Sequence, residues 1–251
     1  TFGTLSAGQR ATVFLPSLVT GIRIFPVTDA TSIAFTAHSV KEVLGTPRYQ
    51  STAAQRPILG RHPKGGRRNL LVRAREFNNG SWVKADTTIT ANAANGVGGT
   101  ATMDLCTEGS AGTALIVQDA TIAANSTNTF AIDLKRGNHD WVRLISYETA
   151  TSSNNVSGYF NLATGAVGTV ASGGTGSGAT ASIQNLGNGI YRCILTGAVN
   201  NSATAIQVRT VSASADNSSG RVSGATRYQD RAQLEAGAVE TAFQGVTTTY
   251  D

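Results

Sequence analysis

NTFAIDLKRGNHDWVRLISYE, residues 128–148, decides how this chain is read. In its first half Phe130, Ile132 and Leu134 fall on one side of an extended chain, and Asp133 and Lys135 on the other. After a Gly137–Asn138 turn, Val142 and Leu144 face one way while Trp141, Arg143 and Tyr147 face the other. Side chains alternate across a strand with a period of two, so this pattern predicts two β-strands. A surface helix would instead repeat its apolar positions every three to four residues.

The same texture runs outward. Residues 157–170, SGYFNLATGAVGTV, give a strand, a Thr164–Gly165 turn and a second strand. In NGIYRCILTGAV (188–199) Tyr191, Cys193 and Leu195 oppose Arg192, Ile194 and Thr196. In TAIQVRTVSA (204–213) Ile206 and Val208 oppose Gln207 and Arg209. Runs of this kind separated by Gly/Asn turns predict an all-β fold, an antiparallel β-sandwich of the jelly-roll type. Composition agrees: 28 of the 251 residues are Gly and only 14% are charged, with helix formers such as Glu, Lys and Met scarce. RAQLEAGAVETAF (231–243) reads as helical by composition, although Gly237 in its middle leaves a closing strand as the other reading.

Upstream the texture differs. RATVFLPSLVTGIRIFPV (10–27) is punctuated by Pro16, Gly21 and Pro26 and predicts short strands in an irregular, partly β segment over residues 1–50. Residues 51–68 form a basic connector rich in Pro and Gly, and residues 69–251 form the sandwich module. The net charge of +5 is unevenly spread. Residues 1–55 carry +2, residues 56–76 carry +6, and residues 77–251 carry −3. The basic band Arg56, Arg61, Lys64, Arg67, Arg68, Arg73 and Arg75 is therefore a local feature, suited to assembly with an acidic surface. It has no interleaved aromatic rings, so nucleic acid is not the expected partner. The one Met is Met103, so Thr1 is not a translation start, and the chain is expected to be processed or part of a longer protein.

Most catalytic chemistry finds no footing. Cys106 and Cys193 are far apart in sequence and no Cys-x-x-Cys occurs. They predict two buried free thiols, with a single disulfide as the alternative, and no metal site or cofactor is expected. GGTGSGAT (173–180) spaces its glycines like a phosphate-binding loop, but Ala179 stands where the lysine is needed, so it reads as a hairpin. No Gly-x-Ser-x-Gly elbow is present. Asp140, beside His139, and Glu148 are the acids nearest to one strand, yet nothing pairs them for hydrolysis. Trp141, Arg143 and Tyr147 are different. An aromatic ring stacks on the apolar face of a sugar while Arg hydrogen-bonds its hydroxyls, so these three are the candidate glycan-binding residues.

Five blocks carry a resemblance: Asn69–Leu71, Phe77–Trp82, Tyr159–Gly168, Gly187–Cys193 and Ala232–Gly237. In this order they resemble a module of bacteriophage tail-fibre, spike and head-associated proteins that is similar to carbohydrate-binding jelly rolls. Two positions depart from that pattern. Ile190 stands where the family often has Trp, and Asp230–Arg231 where it has Trp-Gly. The resemblance implies a virion structural protein whose last-named block is a closing strand. It also implies a non-catalytic module for host-surface glycan, with other virion proteins and a homo-oligomer, a trimer favoured, as partners; no apolar run is near the length that a membrane span needs, so no membrane is expected. The alternatives are a purely structural virion component, or a secreted bacterial glycan-binding module.

Overall fold

The computed structural model describes residues 67–110, 114–200 and 202–246. The segment expected at 1–50 and connector residues 51–66 lie outside the described residues. The strands are β1 (Val83–Ala85), β2 (Thr87–Asn95), β3 (Ala101–Glu108), β4 (Leu115–Thr121), β5 (Asn128–Arg136), β6 (Trp141–Glu148), β7 (Asn155–Asn161), β8 (Ala166–Gly173), β9 (Ser177–Gly187), β10 (Ile190–Ala198), β11 (Ala205–Ala213) and β12 (Thr226–Ala236). No helix occurs among the described residues.

Two six-stranded sheets form the sandwich. Sheet A runs β1-β4-β11-β6-β7-β8 and sheet B runs β2-β3-β12-β5-β10-β9. The pairings β3 with β12, β4 with β11, β5 with β10 and β7 with β8 are all antiparallel. The chain thus folds back on itself like one long hairpin, with strands alternating between the sheets from β3 to β6 and again from β10 to β12, which is the jelly-roll winding. β5 and β6 do not pair with each other. Gly137–Asp140 carries the chain from one sheet to the other, and a side chain at Gly137 would run into the Thr226 carbonyl.

The inward rows form one core. Phe130, Ile132 and Leu134 of β5 meet Val142 and Leu144 of β6, Cys193 and Leu195 of β10, and Ile206 and Val208 of β11. Each is fully or nearly fully buried, so truncating Leu144 to Ala costs about 2–5 kcal/mol. Asn188 and Gly189 both have positive φ, 55° and 72°, which closes the two-residue β9–β10 hairpin with the twist its strands need. Of the glycine-rich stretch 173–180, only 174–176 is a connection. It carries the chain from β8, at the edge of sheet A, to β9, at the edge of sheet B, and because these strands do not pair it is a crossover between sheets and not the hairpin that its sequence suggested.

The helical reading of 231–243 is corrected. Residues up to Ala236 belong to β12, because Leu234 packs in the core opposite Phe130 and strand pairing outweighs local helix propensity. The register of β12 on β5 shifts between Asp230 and Gln233, a bulge in which Arg231 adopts φ 50°. This is the position where the resembling module has Gly, which takes positive φ without steric cost. Past the bulge, the place beside β12 is filled by residues 69–74. Leu70 N–H donates to Leu234 O at 2.8 Å and Ala232 N–H to Ala74 O at 2.9 Å. Asn69 fastens this join, accepting from Leu234 N–H at 3.0 Å and donating to Ala232 O at 3.0 Å.

Candidate functional site

The outward row of β6 lies on the outer face of sheet A, with the side-chain parity read from the sequence. Register sets its neighbours. Trp141 lies between Asn161 of β7 and Ala213 of β11, Arg143 between Tyr159 and Val211, Ile145 between Ser157 and Arg209, and Tyr147 between Asn155 and Gln207. Trp141 and Tyr147 are six residues apart, roughly 20 Å along the strand, with Arg143 between them. All three are half-buried.

Long side chains lie across this face. The Arg143 guanidinium sits 5.3 Å from the Tyr159 ring centroid and donates through Nη2 to Ser157 Oγ at 3.1 Å. Arg209 sits 4.8 Å from the Tyr147 ring centroid and donates to the Tyr147 hydroxyl at 2.6 Å. That hydroxyl donates to Gln207, whose amide donates to Asp119 Oδ1 at 2.5 Å. Stacking an arginine on a ring costs the cation little hydration and holds both groups in place. At the other end, Gly168 of β8 makes room for Trp141. A Cβ there would lie 2.7 Å from Trp141 Cζ3 and 2.3 Å from Asp216 Oδ1. Asp216 is held by Thr169, whose N–H donates at 2.7 Å and whose hydroxyl donates at 3.1 Å.

The basic band is divided. Arg56, Arg61 and Lys64 lie outside the described residues. Arg67 Nη1 donates to Val239 O at 2.5 Å. Arg68 lines a cleft of about 490 Å³ with Val72, Gln118 and Asp119. Arg73 pairs with Glu76 at 3.0 Å. Arg75 reaches Asp230 at 3.9 Å and stacks on Phe243 at 5.0 Å. Arg67, Arg73 and Arg75 therefore make contacts within the module itself.

Sequence reasoning missed the charged layer on the outer face of sheet B. Asp133 is fully buried there, between Arg192 at 3.0 Å and Arg231 at 2.5 Å. Arg192 also contacts Glu240 at 2.5 Å, and Phe243 lies under Arg75, Arg192 and Arg231. The only sequence signal was Asp133 and Arg192 on the polar sides of their strands. Their pairing depends on a register between β5 and β10 that local pattern does not encode.

The acids near β6 stand apart. Asp140 pairs with Arg136, and His139 Nε2 lies 2.6 Å from Ala213 O. Glu148, at the far end of β6, accepts from Asn154 at 2.7 Å and Asn200 at 3.0 Å, and these bonds hold its carboxyl below the usual range. Cys106 and Cys193 are buried and unpaired, the first of the two readings offered by the sequence. No cluster of metal-ligating side chains occurs among the described residues.

No family model matches the sequence, and the comparison with curated proteins gives no match. Among solved structures, the enzymatically active domain of bacteriophage CBA120 tailspike protein 4 is similar at 14% identity and TM-score 0.42, over 67% of this chain and 21% of that one. The CBM22-1–GH10 modules of Clostridium thermocellum endo-1,4-beta-D-xylanase 10B, complexed with xylohexaose, are similar at 12% identity and TM-score 0.39, over 71% of this chain and 29% of that one. The chain therefore spans less than a third of the length of either.

Proposed function

We propose that this chain is a bacteriophage virion component, of a fibre, spike or decoration, whose sandwich module binds a host-surface glycan without catalysis. One observation carries the glycan reading: Trp141, Arg143 and Tyr147 line one row on the outer face of sheet A, flanked by Tyr159 and Arg209. Rings supply stacking surface and guanidinium groups supply hydrogen bonds, which is the chemistry that a sugar chain requires. The virion reading rests on the five sequence blocks, and it brings other virion proteins and copies of this chain, a trimer favoured, as partners. A single shallow face gives weak affinity, and repetition in an oligomer raises avidity without new contacts.

The test is binding of the full chain to an array of bacterial surface polysaccharides, with Trp141→Ala and Tyr147→Ala beside it. Selective binding that both substitutions weaken at least tenfold supports the reading. No binding by multivalently displayed protein would leave assembly within the particle as the function of the module.

A further inference from the structure

Six arginines among the described residues, Arg73, Arg75, Arg136, Arg192, Arg227 and Arg231, pair with a carboxylate. Arg143, Arg209 and Arg221 pair with none among these residues, and the three come together. Arg143 is opposite Val211 in register, so Arg209, two positions earlier on β11, is its diagonal neighbour at roughly 7–8 Å. Arg221, from the segment between β11 and β12, is within electrostatic range of both. Its neighbour Val222 donates N–H to Ser212 Oγ of β11 at 3.3 Å, and burial first, then repulsion by Arg209, Arg227 and Arg143 against attraction by Glu108, lowers the Arg221 pKa from the ordinary arginine value.

Their donors are also incomplete. Arg143 Nε, Arg209 Nε and Arg221 Nη1 are buried and make no hydrogen bond. Buried donors without partners are costly, and three neighbouring like charges add to that cost. The nearby acids are committed elsewhere. Glu108 is held by Arg227 and by the Ser212 N–H at 2.8 Å, and Asp119 by Gln207.

We propose that Arg143, Arg209 and Arg221 form an anion-recognition site on the outer face of sheet A, and that it takes the carboxylate of an acidic sugar. This rests on the glycan reading and specifies its ligand as an acidic polysaccharide. Guanidinium forks match a carboxylate through paired hydrogen bonds. Tyr147 and Tyr159 already stack on Arg209 and Arg143, and Trp141 stands on the same row for a neighbouring sugar ring. The flanks argue against nucleic acid. Asp119 lies beyond Tyr147 at one end and Asp216 beside Trp141 at the other. A phosphate backbone carries charge at every step and would meet both acids, whereas a glycan with spaced carboxylates places one charge on the arginines.

The test uses the full chain and four probes: oligogalacturonate, its fully methyl-esterified form, inorganic phosphate and single-stranded DNA. Calorimetry follows binding for the wild type, Arg221→Gln, Arg209→Gln and Trp141→Ala. The expected result is that oligogalacturonate binds at least tenfold more tightly than its ester and more weakly as salt rises. Each arginine substitution removes that preference, and thermal unfolding of Arg221→Gln is not lowered, because no ion pair is lost. Equal binding of acid and ester, or a preference unchanged in both arginine variants, overturns the anion site and leaves the glycan reading standing. Phosphate or DNA binding as tightly as oligogalacturonate overturns the acidic sugar as ligand. If neither sugar form binds, both readings fall.

Discussion

Arg227 of β12 and Glu108 of β3 form an ion pair inside the sandwich, with side-chain exposures of 2% and 0%. The pair reaches across to sheet A. Arg227 Nη2 donates to Thr210 O at 2.9 Å, and Glu108 accepts from Ser212 N–H at 2.8 Å, both on β11. Two sheets that meet largely through apolar side chains are registered here by directional bonds. Removing one partner leaves the other charged and buried. Arg227→Ala or Glu108→Ala is expected to lower stability by about 3–5 kcal/mol. Replacing both with Leu is expected to restore much of that loss, since an apolar pair needs no desolvation. Urea denaturation of the three variants measures this, and a double variant no better than the single ones would contradict it.

Gly168 is expected to control the Trp141 ring. Any side chain there meets Trp141 Cζ3 and Asp216 Oδ1 at under 3 Å. Gly168→Val should displace the ring, shift its fluorescence and weaken glycan binding at least tenfold. β8 is an edge strand, and Gly168 has no positive φ to protect, so the fold should survive with a loss of about 1–3 kcal/mol. Unchanged fluorescence would show that the ring does not rest on this glycine.

The sandwich was legible because its strands alternate cleanly. Ile206 and Val208 against Gln207 and Arg209 is a local pattern, and local pattern fixes which side faces the core. β5 shows the limit. Its apolar row was readable, but Asp133 on the other row is equally buried, beneath Arg192 and Arg231 from distant strands. The end of β12 was misread by composition for a related reason. Nothing near Leu234 announces that Phe130, Asn69 and Leu70 hold it extended. At the candidate site, the row Trp141, Arg143, Tyr147 followed from parity alone, whereas Arg209 and Gly168 needed the register of β11 and β8, and Arg221 the path of the segment between β11 and β12.

Cys106 and Cys193 should be inert in the folded protein. Burial pushes both thiols up, Cys193 well above its ordinary value of 9.0 with Asp133 adding to the effect. Only the thiolate reacts, so alkylation by iodoacetamide at neutral pH is expected to be slow and to follow global unfolding. Mass spectrometry should show two modified cysteines appearing together in denaturant. Rapid native labelling of either thiol would argue against its burial in the core.

Asp104 gives the chain a specific pH signature. Its carboxylate accepts the N–H of Asn92 through Oδ1 and of Phe77 through Oδ2, each at 2.9 Å, tying β3 to the irregular part of β2 and to the loop before β1. Burial nevertheless outweighs these bonds and raises its pKa above the ordinary 3.8. The folded chain therefore takes up this proton more readily than the unfolded chain does. By linkage, the contribution of Asp104 to stability grows as pH falls through the raised folded value and levels off near the unfolded value. Asp104→Asn removes the titration and one of the two acceptors, which costs about 1–3 kcal/mol at neutral pH. The gap between wild type and variant is expected to widen as pH is lowered from 7 towards the unfolded aspartate value of 3.8. Other carboxylates change the stability of both proteins with pH, so the difference between paired denaturation curves isolates this group. A gap that narrows on acidification would mean that the Asn92 and Phe77 bonds, rather than burial, set the charge of Asp104.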